Sequence, residues 1–142
     1  MAGTISVRLA SRLPKDAFHE FLGGIGAIPA RDAVFDAILE EGACMIRVVL
    51  TSKEREVLDP GVLEDIRRKL GTYPDEQHIV VEISDAPGSQ NLAVRFARDV
   101  VRKWPGVVDD LVDRIYAKEE VEFLYRTGGD FSHAYDVDGD QR

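Results

Sequence analysis

Four kinds of side chain in this sequence are equipped for chemistry, and their spacing limits what each can do. The three histidines, His19, His78 and His133, stand far apart, and no two have the spacing of a metal-ligand pair. Cys44 is the only cysteine, so no internal disulfide forms. Lying between Ala43 and Met45, it reads as a small core residue, because a reactive thiol needs an electropositive setting. Gly23-Gly24-Ile25-Gly26 is glycine-rich but follows a helical pattern, and no Lys-Ser or Lys-Thr comes after it. It is therefore a turn between helices and not a phosphate cradle. Asp136-Val137-Asp138-Gly139-Asp140 has the alternating acids of a calcium loop. With Gly139 in the sixth position, however, Ala134 stands first, where an acid belongs, which leaves at most weak ion binding.

The carboxylates are more informative. Asp109, Asp110 and Asp113 are close enough for acid–base work or for holding magnesium, but no Lys, His or Ser partner accompanies them at a familiar spacing. Together with Glu119, Glu120 and Glu122 they make a better binding face than a catalytic centre. Arg67-Arg68-Lys69 is the densest basic cluster; at the end of a helix its charges complement the macrodipole. The expectation is no catalytic residue, no metal and no cofactor.

These residues need elements to position them. The chain has 142 residues, 44% hydrophobic and 31% charged, with a net charge of -8. That suits one domain with a core of its own. The charge is uneven: residues 109–142 carry ten acids against four bases. A negative field of this kind repels nucleic acid and speeds encounter with a basic protein. No apolar run is long enough to span a membrane, and the first residues have no leader pattern. With one cysteine, the expectation is a cytoplasmic protein.

Ile5, Val7 and Leu9 alternate with polar neighbours, so 4–9 reads as a half-buried strand. Phe18, Phe21, Leu22 and Ile25 give 14–25 one helical face. Val34, Phe35, Ile38 and Leu39 suggest a second helix over 30–41, capped by Gly42. Residues 43–51 are apolar on both faces and read as a central strand. Asp59-Pro60 starts a helix that Gly71 ends. Strand 78–84 and helix 90–104 follow, the latter with Leu92, Phe96, Val100 and Trp104 at four-residue steps. A short strand at 107–110, extended or restarted at 115–116, and a helix over 117–126 complete the pattern. The fold class is α+β: a two-layer sandwich of about four strands with helices mainly on one face. The domain spans 1–128, and 129–142 is an acidic, mobile tail.

The stretch from Asn91 to Asp110, with its Arg102-Lys103-Trp104-Pro105 corner and paired Asp, resembles small bacterial immunity proteins of polymorphic toxin systems. The Arg114-Ile115-Tyr116 step and the strand Ile79-Val80-Val81-Glu82-Ile83 share the likeness, which spans 79–116. The resemblance implies a non-enzymatic inhibitor that binds a cognate toxin, but it transfers no contact residue. The expected contacts are the six carboxylates, Asp109, Asp110, Asp113, Glu119, Glu120 and Glu122, facing a toxin domain with a basic surface. Two alternatives stay open. One is an adaptor subunit docking through Tyr125, Phe131 and Tyr135. The other is a small enzyme built from His19, His78, Cys44 and the aspartates.

Overall fold

The computed structural model describes residues 3–30, 34–52 and 58–131. Period-two alternation sets the sheet. Its strands are β1 (Gly3–Leu9), β2 (Ile28–Pro29), β3 (Ala37–Glu41), β4 (Cys44–Thr51), β5 (His78–Ile83), β6 (Gly106–Asp109) and β7 (Ile115–Tyr116). They form one antiparallel sheet in the order β2-β3-β4-β5-β1-β6-β7. The α+β class is as read, but the described residues form seven strands where about four were expected. β7 is the restart read at 115–116, and β2, with only two residues, is too short to show a period.

The third addition is a correction. The expected helix over 30–41 is strand β3 at its C-terminal end. Ala37 and Leu39 are buried in the core, while Ile38 and Glu40 turn away. Val34, Ile38 and Leu39 also fit a helical stripe, and in so short a run the two periods are hard to separate. Pairing with β4 decides it, from Ala37↔Val48 to Glu41↔Cys44. Gly42 is then not a helix cap. At φ +64° it opens the two-residue turn of the β3–β4 hairpin, a position that asks for glycine.

Among the described residues four helices cover this sheet: α1 (Lys15–Gly24), α2 (Pro60–Leu70), α3 (Ser89–Lys103) and α4 (Lys118–Thr127). Three of them build the main layer. Phe18 and Leu22 of α1, Phe96 and Val100 of α3, and Val121 of α4 join Ile5, Val7, Ile46, Val48, Ile79 and Val81 in one core. Phe21 locks α1 to α3, edge-on to Phe96 at 6.1 Å and to Trp104 at 5.2 Å.

α2 lies on the other side. Val108 faces the main core, so its neighbours Val107 and Asp109 face away from it. Ile66 of α2 packs there against Val107 and Ile115, with Leu58, Val62 and Leu70 around them. Elsewhere the second face of the sheet is mixed: Ser6, Arg8, Arg47, His78 and Glu82 share it with Val49, Val80, Met45 and Ile38. Among the described residues one helix thus covers one end of this mixed face. Among the described residues no helix is long and apolar enough to cross a membrane.

Candidate functional site: the β6–β7 loop and its groove

The chain leaves β6 at Asp109 and returns in β7 at Ile115. Two carboxylates shape what lies between. Asp109 is buried; its Oδ2 accepts from Arg8 Nη2 at 3.1 Å and Nε at 3.3 Å. Its Oδ1 accepts from the backbone N–H of Leu111 at 2.8 Å. Asp110 is buried too, and its Oδ1 alone accepts from Val112, Asp113 and Arg114 N–H at 2.9, 3.1 and 3.0 Å. The loop is closed by Asp110 N–H donating to the Arg114 carbonyl at 3.1 Å.

This bracing imposes a strained backbone. Leu111 has φ +65°, the single positive φ among the described non-glycine residues. A branched side chain there costs on the order of 1–2 kcal/mol. The result is a rigid tip whose Leu111 and Val112 side chains stand in water, 47% and 43% exposed.

The six expected contact residues therefore divide. Asp109 and Asp110 are internal braces. Glu120 is half-buried: it accepts from Ala117 N–H at 2.7 Å, closing the start of α4, and from Lys69 Nζ at 3.2 Å. Burial alone would raise the Glu120 pKa, but the Ala117 N–H and Lys69 outweigh it and hold it below the usual glutamate value. Glu122 is clamped by Arg102 from α3 through two hydrogen bonds, which also lowers its pKa. Asp113 and Glu119 alone are exposed and make no ion pair among the described residues. The six do not share one open face.

Instead, the loop forms the wall of a groove. A cleft of about 890 Å³ runs between α2 and the loop, and Leu58, Val62, Leu111, Val112 and Ile115 give it an apolar lining. Its charged residues are five carboxylates against three guanidiniums. Asp59 caps α2 by accepting from Gly61 N–H at 3.1 Å, Glu64 pairs with Arg67, and Asp65 pairs with Arg68. Lys69, at the far end of α2, donates to the Ile115 carbonyl at 2.7 Å and so fastens the helix to β7. On the other side of β7, Arg114 lies over the Tyr116 ring at 5.0 Å. The Tyr116 hydroxyl has its pKa raised, first by burial and then by Asp110 and Asp113, against the opposing pull of Arg114.

The other candidates are scattered. His19 is exposed and reaches Asp36 at 3.2 Å. His78 is buried in the sheet, its Nδ1 2.8 Å from Ser6 Oγ. His133 and 136–140 lie outside the described residues. Cys44 is half-buried, and its Sγ donates to the Pro87 carbonyl at 3.1 Å. Among the described residues no three His, Cys, Asp or Glu side chains converge on a metal position. Gly23–Gly26 ends α1 and leads towards β2, so it turns the chain from a helix into a strand rather than into a helix. Arg67 and Arg68 pair within α2, as helix-end cations do. Of the three residues considered for adaptor docking, Tyr135 lies outside the described residues. Tyr125 is exposed under the Arg98 guanidinium at 3.8 Å. Phe131 is buried and stands edge-on to Tyr116 at 5.1 Å, so the tail as read begins with a docked residue.

Sequence reading missed Leu111 and Val112. The available signal was a pair of large aliphatic residues inside an aspartate-rich break between two strands. Comparison with protein-family models, with curated proteins and with solved structures finds no match to the chain.

Proposed function

We propose that this chain is a non-enzymatic protein-binding module, an immunity protein that neutralises a toxin domain in the cytoplasm, as the likeness of its 79–116 segment implies. The observation that supports a binding role is the 109–114 loop. Two buried aspartates and four backbone hydrogen bonds hold two aliphatic side chains out in water on a strained backbone. Exposing apolar surface and storing strain both lower stability, so a contact made elsewhere accounts for them better than folding does. A pre-ordered apolar tip is also what a tight interface uses as an anchor, because little entropy is lost when it docks. The surplus of carboxylates on the chain supports a basic partner and a fast, salt-sensitive encounter.

The test is capture of the partner from source cells at low and high salt, followed by its expression alone and together with this chain. The expected result is one stoichiometric partner that leaves at high salt, arrests growth alone and is harmless in co-expression. A captured partner whose effect on growth is the same with and without this chain would overturn the immunity reading.

A further inference from the structure

We infer that the groove between α2 and the 109–114 loop is where the partner seats, and that its occupant is a basic amphipathic segment of a protein. This deepens the protein-binding reading and rests on it. Three observations converge on the groove. Its lining is apolar on both walls, with half-buried Val62 on α2 opposite exposed Leu111 and Val112. Its walls are fixed: Lys69 fastens α2 to β7, and Asp110 Oδ1 holds three consecutive N–H groups of the loop. Its charge is acidic in excess. Arg8 and Arg68 are already neutralised by Asp109 and Asp65, and Asp113 and Arg114 stand at the rim with no ion pair among the described residues, so the surplus of five carboxylates over three guanidiniums remains.

A trough with aliphatic side chains on both walls and a surplus of carboxylates over guanidiniums fits a segment that presents aliphatic side chains inward and a lysine or arginine beside them. Such helix-in-groove recognition gains affinity from the apolar anchors and register from the charge. A nucleic-acid strand fits poorly, because its phosphates would face the same carboxylates. A purely apolar occupant would leave the carboxylate surplus unused.

The probe is a synthetic peptide of leucine and lysine at helical spacing, titrated into the 15N-labelled full chain. The expected result is amide shifts concentrated in 58–68 and 109–115. A second peptide with glutamate in place of lysine is expected to bind at least tenfold more weakly. The double variant Leu111→Ser/Val112→Ser, which keeps every charge, is expected to lose at least fivefold in affinity. Asp113→Lys changes an exposed rim residue whose side chain makes no ion pair among the described residues, and is expected to lose about threefold. Its thermal midpoint is expected to equal that of the parent. It therefore keeps the test decisive should the double variant fold poorly. Shifts centred elsewhere, no shifts at millimolar peptide, or equal affinity in both variants would each overturn the groove. None of these would touch the capture and co-expression result, which does not depend on the surface used.

Discussion

Asp109 and Asp110 look alike in the sequence, yet the fold gives them two structural tasks that neither Asp113 nor Glu119 performs. Asp109→Asn leaves Arg8 charged and buried beside a neutral amide. Breaking a buried pair in this way costs about 3–5 kcal/mol, whereas Asp113→Asn is expected to cost less than about 0.5 kcal/mol. Urea unfolding of the two variants checks the contrast; equal midpoints would mean that Arg8 and Asp109 are not a structural pair. Charge neutralisation at 109 and 110 is thus a test of stability, not of binding. Leu111→Gly works the other way. Glycine relieves the positive φ at the cost of a looser unfolded chain, so stability is expected to hold or to rise by up to about 1 kcal/mol. Partner affinity is expected to fall. A variant that binds as before would take Leu111 out of the interface. The sequence announced the acids at this site but not their orientation. A carboxylate that braces a loop and one that faces water leave the same mark in a composition count.

At the scale of elements, legibility followed length. The fifteen residues of α3 repeat their apolar face often enough to fix the period, and Leu92, Phe96 and Val100 are buried as read. The five residues of β3 do not repeat it, and the pairing partner β4 was needed to settle them. The junctions between elements make the acid limb of stability predictable. Glu120 ties the start of α4 to the end of α2, and Asp36 ties β4 to α1 by accepting from Leu50 N–H, Lys15 and His19. For Asp36, burial pushes the pKa up, but the Leu50 N–H, Lys15 and His19 together bring it below its usual value. Both carboxylates bind protons less readily when folded. Their contribution is therefore complete above their unfolded pKa values, near 4, and is lost as pH falls through the lower folded values. The unfolding free energy is expected to be level from about pH 7 to 5 as far as these two groups are concerned, and to fall below about pH 4. In Glu120→Gln the acid limb is expected to be shallower. An unchanged limb in that variant would remove Glu120 from the account.

At the scale of the whole molecule, the sheet has two open edges, and both are blunted. β2 and β7 have two residues each, and β2 contains Pro29. Ala30 N–H bonds the Asp36 carbonyl at 3.2 Å, so by alternation residue 29 directs its nitrogen outward, where proline has no hydrogen to offer. Pro29→Val restores that donor next to exposed Ile28. The variant is expected to self-associate at concentrations where the parent does not, as light scattering would show. Identical scattering would mean that the shortness of β2 suffices. The net charge of -8 opposes such association through long-range repulsion, so the contrast should widen as salt is added. The charge surplus was plain in the sequence. The edge protection was not, because a two-residue strand has no period to read.

The position of β1 in the middle of the sheet has a consequence for the newborn chain. This strand is made early, yet its neighbours are β5 and β6, and its Arg8 finds Asp109 101 residues later. At about 5–20 residues per second, the ribosome delivers that partner roughly 5–20 s after the strand itself. Throughout that interval Ile5, Val7 and Leu9 have no native strand beside them on the β6 side. The window in which a chaperone has something to hold is therefore written into the strand order.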